Sequence, residues 1–452
     1  MGSSDHETAR YPEVLIIGAG VAGLAAARTI ASSGFSVTIL EARNRTGGRI
    51  YTVRDPRLPI PVELGAEFIH GRAPQSFKLA REASLLLCEL PQRHWQIHND
   101  LLVKSAEFFS ELEDVMDGME RIKDGDLSFR DYLDEYCKSA SDQTRSAATM
   151  FVEGFNAASD DVISVRSLVH QNEAEDQIDG DRQFRILGGY DGIASRLETE
   201  ARSSGARVVL NSIVREVRWN HNSVSVTVVD DNKTHTYQAR RALITLPLGI
   251  LQLEPEDPDA VRFIPEITEK TAAIKSLRMG DVLKINLIFK EAFWEQLELN
   301  SKQGRQSLMD FSFIHDTNEK LPTWWTQLPV RTSMLVGWTG GPSAEQLTKY
   351  DDQTIKQVAM DSLSAILKVP KSRIEQYLQT SCFHNWSHDP FTHGAYSYAA
   401  VGGYHAPAGL ARPVEDTLFF AGEATSTDGH IGTVHGAIET GLRAGREVVE
   451  SL

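Results

Sequence analysis

The residues best suited to chemistry in this 452-residue chain gather between positions 18 and 49: Gly18, Gly20 and Gly23 at the GxGxxG spacing, then Glu41, then the run RTGGR ending at Arg49. Each glycine has a mechanical reason. Gly18 permits a tight strand-to-helix turn, Gly20 lets backbone approach a pyrophosphate, and Gly23 lets a helix pack closely on a sheet. Glu41 lies 18 residues past Gly23, where a carboxylate can take both ribose hydroxyls of an adenosine and would repel a 2′-phosphate. Gly47 and Gly48 allow a second close backbone approach, and Arg49 offers a rigid fork of donors to the same pyrophosphate.

These groups need elements that present them. VLII, from Val14, reads as a buried parallel strand, and Val21 to about Ser32 as a helix whose amide end faces the phosphates. SVTIL is a second strand that stops at Glu41. Near the other end, LFFAGEAT reads as a buried strand running into Gly422 and Glu423, followed by a helix that begins near Thr433. Gly436 and Ala437 there are small enough to let a flat ligand approach. In MGDVLKINLIF, strand alternation puts Leu283, Ile285, Leu287 and Phe289 on one face and Val282, Lys284 and Asn286 on the other. Pattern alone makes such a lysine a solvated one.

Composition bounds the answer. A chain this long exceeds one compact core, so two or more domains are expected. Hydrophobic content of 41% and charged content of 24% are those of a globular protein. No stretch approaches the roughly 18 apolar residues of a membrane span, and MGSSDHETAR is too polar for a signal peptide, so a cytoplasmic address is expected. The terminal Glu-Ser-Leu is a poor relative of Ser-Lys-Leu and leaves a peroxisomal one open. Cys88, Cys137 and Cys382 are odd in number and widely spaced, which indicates neither disulfides nor a CxxC site. A net charge of −16 argues against nucleic acid and is compatible with a cationic substrate. His384 and His388 stand four apart, but in a segment that reads as extended before Asp389-Pro390, so no metal site is expected. Residues 75 to 185 read as mostly amphipathic helix, and 281 to 379 as mixed strands and helices.

The run from Val14 to Arg49 resembles, nearly letter for letter, the dinucleotide motif of the flavin-containing amine oxidase superfamily. The resemblance implies an α/β fold: a Rossmann-like FAD-binding domain (10–74, 186–280 and 380–452) interleaved with an α+β substrate-binding domain of mixed sheet and helices (75–185 and 281–379). It implies a catalytic role for Lys284, since GDVLKI matches a strand whose lysine is held through a water to flavin N5. PVELGAEFIHG and WSHDPFTHGAY resemble two further family stretches. They assign flavin contacts to Gly65, Ala66, Glu67 and Trp386, with Arg43, Gly48, Val214, Gly422, Glu423, Thr433 and Val434 completing the set. His70, Tyr396 and Thr433 are the expected substrate contacts, with Glu173 from the acidic run Glu173, Glu175, Asp176, Asp179 as a cation anchor.

Departures from the family pattern matter as much. Ala395 stands where monoamine oxidases carry the flavin-linking cysteine, so the FAD should be non-covalent. Thr433 stands where they carry the second cage tyrosine, while TVHG resembles polyamine oxidases and histone lysine demethylases. The resemblance therefore implies hydride transfer from an amine to flavin, hydrolysis of the iminium to an aldehyde, and reoxidation by O2 to H2O2. A polyamine or long-chain aliphatic amine is the favoured substrate. A primary monoamine oxidase, an L-amino-acid oxidase needing an arginine clamp, and a non-oxidase redox-sensing flavoprotein remain alternatives, in a monomer or homodimer.

Overall fold

The strand Val14–Ile17 is buried on both faces, which is what a continuous apolar run demands. Val14 and Ile16 pack toward the helices Val21–Ser32, Asp191–Ser203 and Val434–Ser451. Leu15 and Ile17 pack the other way, against Val217, Val226 and their neighbours in a four-stranded sheet formed by residues 213–264. Val14–Ile17 itself belongs to a five-stranded sheet whose ladders are all parallel, in the order Arg207–Val209, Val37–Leu40, Val14–Ile17, Arg241–Ile244, Leu418–Phe420. This computed structural model describes residues 11–104, 106–122, 125–230 and 233–452, so the N-terminal decapeptide read above lies outside the described residues.

A second, seven-stranded sheet runs Leu378–Phe383, Val282–Phe289, Met334–Gly340, Thr323–Trp325, Phe313–His315, His94–His98, Leu101–Lys104. Leu283, Ile285, Leu287 and Phe289 bury one face of it beside Ile355, Leu363 and Ile366 of the helix Asp352–Leu367. The other face looks into the cavity described below. Four helices, Ala106–Gly118, Phe129–Tyr136, Asp142–Asn156 and Val165–Asp176, close it.

The helical reading of 75–185 needs a correction. Residues 87–104 form three strands, Leu87–Glu89, His94–His98 and Leu101–Lys104, the last two joined at Asn99-Asp100. Both turn residues hold positive φ, 48° and 61°, the geometry of a tight hairpin. These strands have few β-branched residues, and two of them pair at long range, Leu87–Glu89 with Gln183–Ile186 and His94–His98 with Phe313–His315 more than 200 residues on, so tertiary pairing rather than local propensity makes them.

Candidate functional site

A cavity of about 1360 Å³ runs between the two sheets. That exceeds the usual range for one small ligand, about 300–1,000 Å³, and leaves room for a dinucleotide and a second molecule. Most of the expected residues line it, from Gly18 and Glu41 at one end to His70 and Tyr396 at the other.

The glycine loop fits a pyrophosphate. A Cβ on Gly20 would meet nothing within 4 Å, because that position opens on the cavity, whereas one on Gly23 would sit 2.1 Å from the carbonyl oxygen of Gly18. Gly23 therefore serves helix packing and lines nothing. Glu41 accepts from the backbone N–H of Ala19 (2.7 Å) and of Arg43 (2.9 Å), which fixes the loop and leaves a second lone pair on each oxygen. Burial nevertheless raises its pKa. Val214 lies on the same wall.

Two expected flavin contacts have protein partners of their own. Arg43 grips Asp389 through both terminal nitrogens (2.8 and 2.6 Å) and lies over the rings of Trp386 and Phe391. Glu423 is a hub. It takes Arg49 on one oxygen (2.8 Å), and the Ser397 hydroxyl (2.5 Å) and Gly432 N–H (3.0 Å) on the other. Arg49 also donates to the carbonyl of Ala395 at 2.7 Å, so it ties the N-terminal loop to the Tyr396 strand.

Lys284 is not solvated. Only 4% exposed, it donates to the carbonyl of Gly65 and lies 3.3 Å from Glu67, and its strand partner Trp338 lines the cavity beside it. Burial opposes the Glu67 charge, but Lys284 and Arg185 overcome it and hold the carboxyl below its ordinary range. Arg185 (2.9 Å) and the Trp325 indole (3.0 Å) share its other oxygen. An ammonium has three donors, and two are spent here. Glu63, nearby, rises to about 7 through burial. Ala66 and Trp386 line this end too, the Trp386 indole donating to the carbonyl of Leu64 at 2.9 Å.

At the substrate end the Tyr396 hydroxyl donates to the carbonyl of Phe155 (2.7 Å), and burial raises its pKa. His70 packs edge-on against Phe155, centroids 5.2 Å apart, and Phe155 stacks on Phe151. Burial lowers the His70 imidazole to about 4, so it is neutral at physiological pH. Thr433 uses its hydroxyl as a helix cap, accepting from Gly436 N–H (3.0 Å) and donating to the carbonyl of His430 (2.8 Å). The first amides after it, from Val434, face the cavity at the positive end of the helix dipole.

Glu173 needs correction. Its side chain is 60% exposed, stands 3.9 Å from His170, and does not line the cavity; one residue pair along the same helix, Glu175 does. On a helix two positions are about 200° apart, so the two acids take opposite faces. His384 binds Asp389 at 2.6 Å, and no group of three or more potential metal ligands occurs among the described residues. Arg185 and the walls Phe155, Trp325 and Trp338 were missed. An arginine inside the apolar strand Gln183–Ile186 was the available signal.

Residues 21–449 match the family model described as flavin containing amine oxidoreductase. The chain belongs to this family. As a flavin-dependent amine oxidoreductase it is similar to Polyamine oxidase 4 of Oryza sativa subsp. japonica, at 27% identity over 98% of this chain and 90% of that one. It is also similar to Lysine-specific histone demethylase 1 homolog 3 of Arabidopsis thaliana, at 28% identity over 97% of this chain but only 30% of that protein. In fold it matches a solved putrescine oxidase bound to putrescine, with TM-score 0.77 and 21% identity, over 97% of this chain and 99% of that one. This family membership makes the enzyme an amine oxidase with a flavin cofactor. No helix among the described residues is long and apolar enough to cross a membrane.

Proposed function

We propose that the protein is an FAD-dependent oxidase of polyamines or long-chain aliphatic amines, with the cofactor held non-covalently. The observation that carries this reading is the cavity rim: Glu113, Asp117, Glu120, Asp176 and Asp181 stand there, none in an ion pair among the described residues, against Arg93 and Lys104. Such a rim concentrates cations at the mouth. The similarity to polyamine oxidases and to the putrescine oxidase fold points the same way. Ala395, which bears no nucleophile, supports a non-covalent cofactor. The domain division follows the two sheets, with 10–74, 186–280 and 380–452 holding FAD and 75–185 and 281–379 shaping the substrate side.

Bound flavin supplies a two-electron acceptor for the α-carbon hydride and passes the electrons to molecular oxygen. The chain's part is positioning. Neutral His70 can accept a hydrogen bond from the reacting amine without adding charge, Tyr396 offers a ring face that its bond to Phe155 fixes, and Phe151, Phe155, Trp325 and Trp338 exclude water. The remaining Lys284 N–H can hold a water, and the Val434 helix end favours negative charge beside it.

An amino-acid oxidase is disfavoured by one observation. Each arginine lining the cavity faces a carboxylate: Arg43 Asp389, Arg49 Glu423, Arg93 Asp310 and Arg215 Asp259. Incubating the purified protein with diamines, triamines, tetramines, aliphatic and aromatic monoamines and amino acids, while peroxide is followed, tests the proposal. Higher kcat/KM for the polyamines is expected. Peroxide from amino acids or aromatic monoamines alone would overturn it.

A further inference from the structure

Arg185 is buried in a strand whose other inner positions are apolar. It stands in the middle strand of a three-stranded sheet, between Phe68 and Cys88. Phe184 and Ile186 join the core around Val14 and Ile16, so alternation turns Arg185 the other way, toward Glu67. Its guanidinium lies over the Phe68 ring at 5.2 Å and donates to the carbonyl of Leu328 at 3.2 Å and to Glu67 at 2.9 Å. Its Nε is buried without a hydrogen-bond partner among the described residues. Stability gives no reason for such a group, because replacing buried ions by apolar side chains of similar volume is often neutral or stabilising.

The distances show what Arg185 does to its neighbours. Charge-assisted N–H···O bonds run at about 2.7–2.9 Å. The Arg185 bond to Glu67 meets that length, and the Trp325 indole joins it on the same oxygen at 3.0 Å. Lys284 stands 3.3 Å from the other oxygen, a looser contact, and it lines the cavity while Arg185 does not. The carboxylate is thus matched mainly from behind. Two cations and one anion leave a single positive charge in this buried trio, and it falls on the member at the cavity wall. Without Arg185 the same carboxylate would cancel Lys284.

We propose that Arg185 is a positioning residue for the flavin chemistry: it compensates Glu67 from behind, so that the Lys284 ammonium presents its full positive charge to the cavity. A positive charge fixed in a wall that excludes water favours the extra negative charge of a reduced flavin. Arg185 therefore raises the potential of the bound cofactor, whichever amine is oxidised.

The test is the midpoint potential of the bound flavin, measured without amine or oxygen in wild type, Arg185→Met, Arg185→Lys and the double variant Arg185→Met/Glu67→Gln. Anaerobic flavin reduction by the best amine of the peroxide panel accompanies it. Arg185→Met should shift the potential to lower values and slow reduction at saturating amine, while the amine concentration for half-maximal reduction stays near wild type. Arg185→Lys keeps the charge and should stay near the wild-type potential. The double variant should return to it as well, because the carboxylate that needed compensating is gone; a residue that only packs would not be rescued by the second change. An unshifted potential in Arg185→Met, an equal shift in Arg185→Lys, or a double variant that stays low overturns the proposal. If Arg185→Met fails to retain flavin, the double variant decides alone: a potential near wild type is expected, and a lower one overturns the proposal.

Discussion

Replacing Lys284 with methionine removes one cation from a buried trio in which Lys284, Glu67 and Arg185 are each at most 5% exposed at the side chain. At 3.3 Å and an effective dielectric near 20, the lost attraction is about 5 kcal/mol. Burying the ammonium costs several kcal/mol, and the methionine avoids that cost. Glu67 keeps Arg185 at 2.9 Å and the Trp325 indole, so it stays ionised. The net loss of stability should therefore be about 1–3 kcal/mol. Glu67→Gln is the harsher change, since it leaves two buried cations without their shared anion and should cost about 3–5 kcal/mol. Urea unfolding of both variants beside wild type measures the order. Lys284→Met should also retain flavin absorbance yet turn over more slowly with amine and oxygen, because the cation that lines the cavity there is gone. If Lys284→Met proves as damaging to stability as Glu67→Gln, or turns over like wild type, the reasoning fails.

Gly20→Val should give a protein as stable as wild type that no longer holds flavin, because its side chain would project into the open cavity; Gly23→Val should fail to fold, with a clash at 2.1 Å. Flavin absorbance and thermal unfolding separate the two outcomes. His435 is held near 3 in the fold and returns to about 6.5 when unfolded, so the unfolded chain binds the extra proton between those values and stability falls as pH drops below about 6.5. His435→Asn should flatten that fall by up to about 1.4 kcal/mol per pH unit in urea titrations at pH 7, 6 and 5; an unchanged slope would show that His435 is protonated in the fold.

The cofactor side was legible because its physics is local. Gly20, Gly23 and Glu41 act through turn geometry, helix packing and charge at a strand end, all written within 30 residues. The substrate side is long-range. Lys284 reads as solvated until the seven-stranded sheet folds its face against Glu67, which itself depends on Arg185 from a third segment. Thr433 and Glu423 were found as positions but not as roles, since one caps a helix and the other is spent on Arg49, Ser397 and Gly432. Glu173 was preferred to Glu175 because a charge run carries no sign of which face of its helix is covered. The hairpin at Asn99-Asp100 was written in its turn residues and was overlooked among helical neighbours.

The helix Val21–Ser32 finds its main cover in the last helix of the chain, where Gly441 lies so close that a Cβ would stand 2.2 Å from the carbonyl of Ala22. About 400 residues of synthesis separate the two, and a ribosome needs roughly 20–80 s to make them. Throughout that interval the first βαβ unit has neither its final helix nor the edge strand Leu418–Phe420 to complete its sheet. Birth of this enzyme is thus a waiting problem: the amino-terminal unit stays without its covering helix and its edge strand until residues 418–451 have been made.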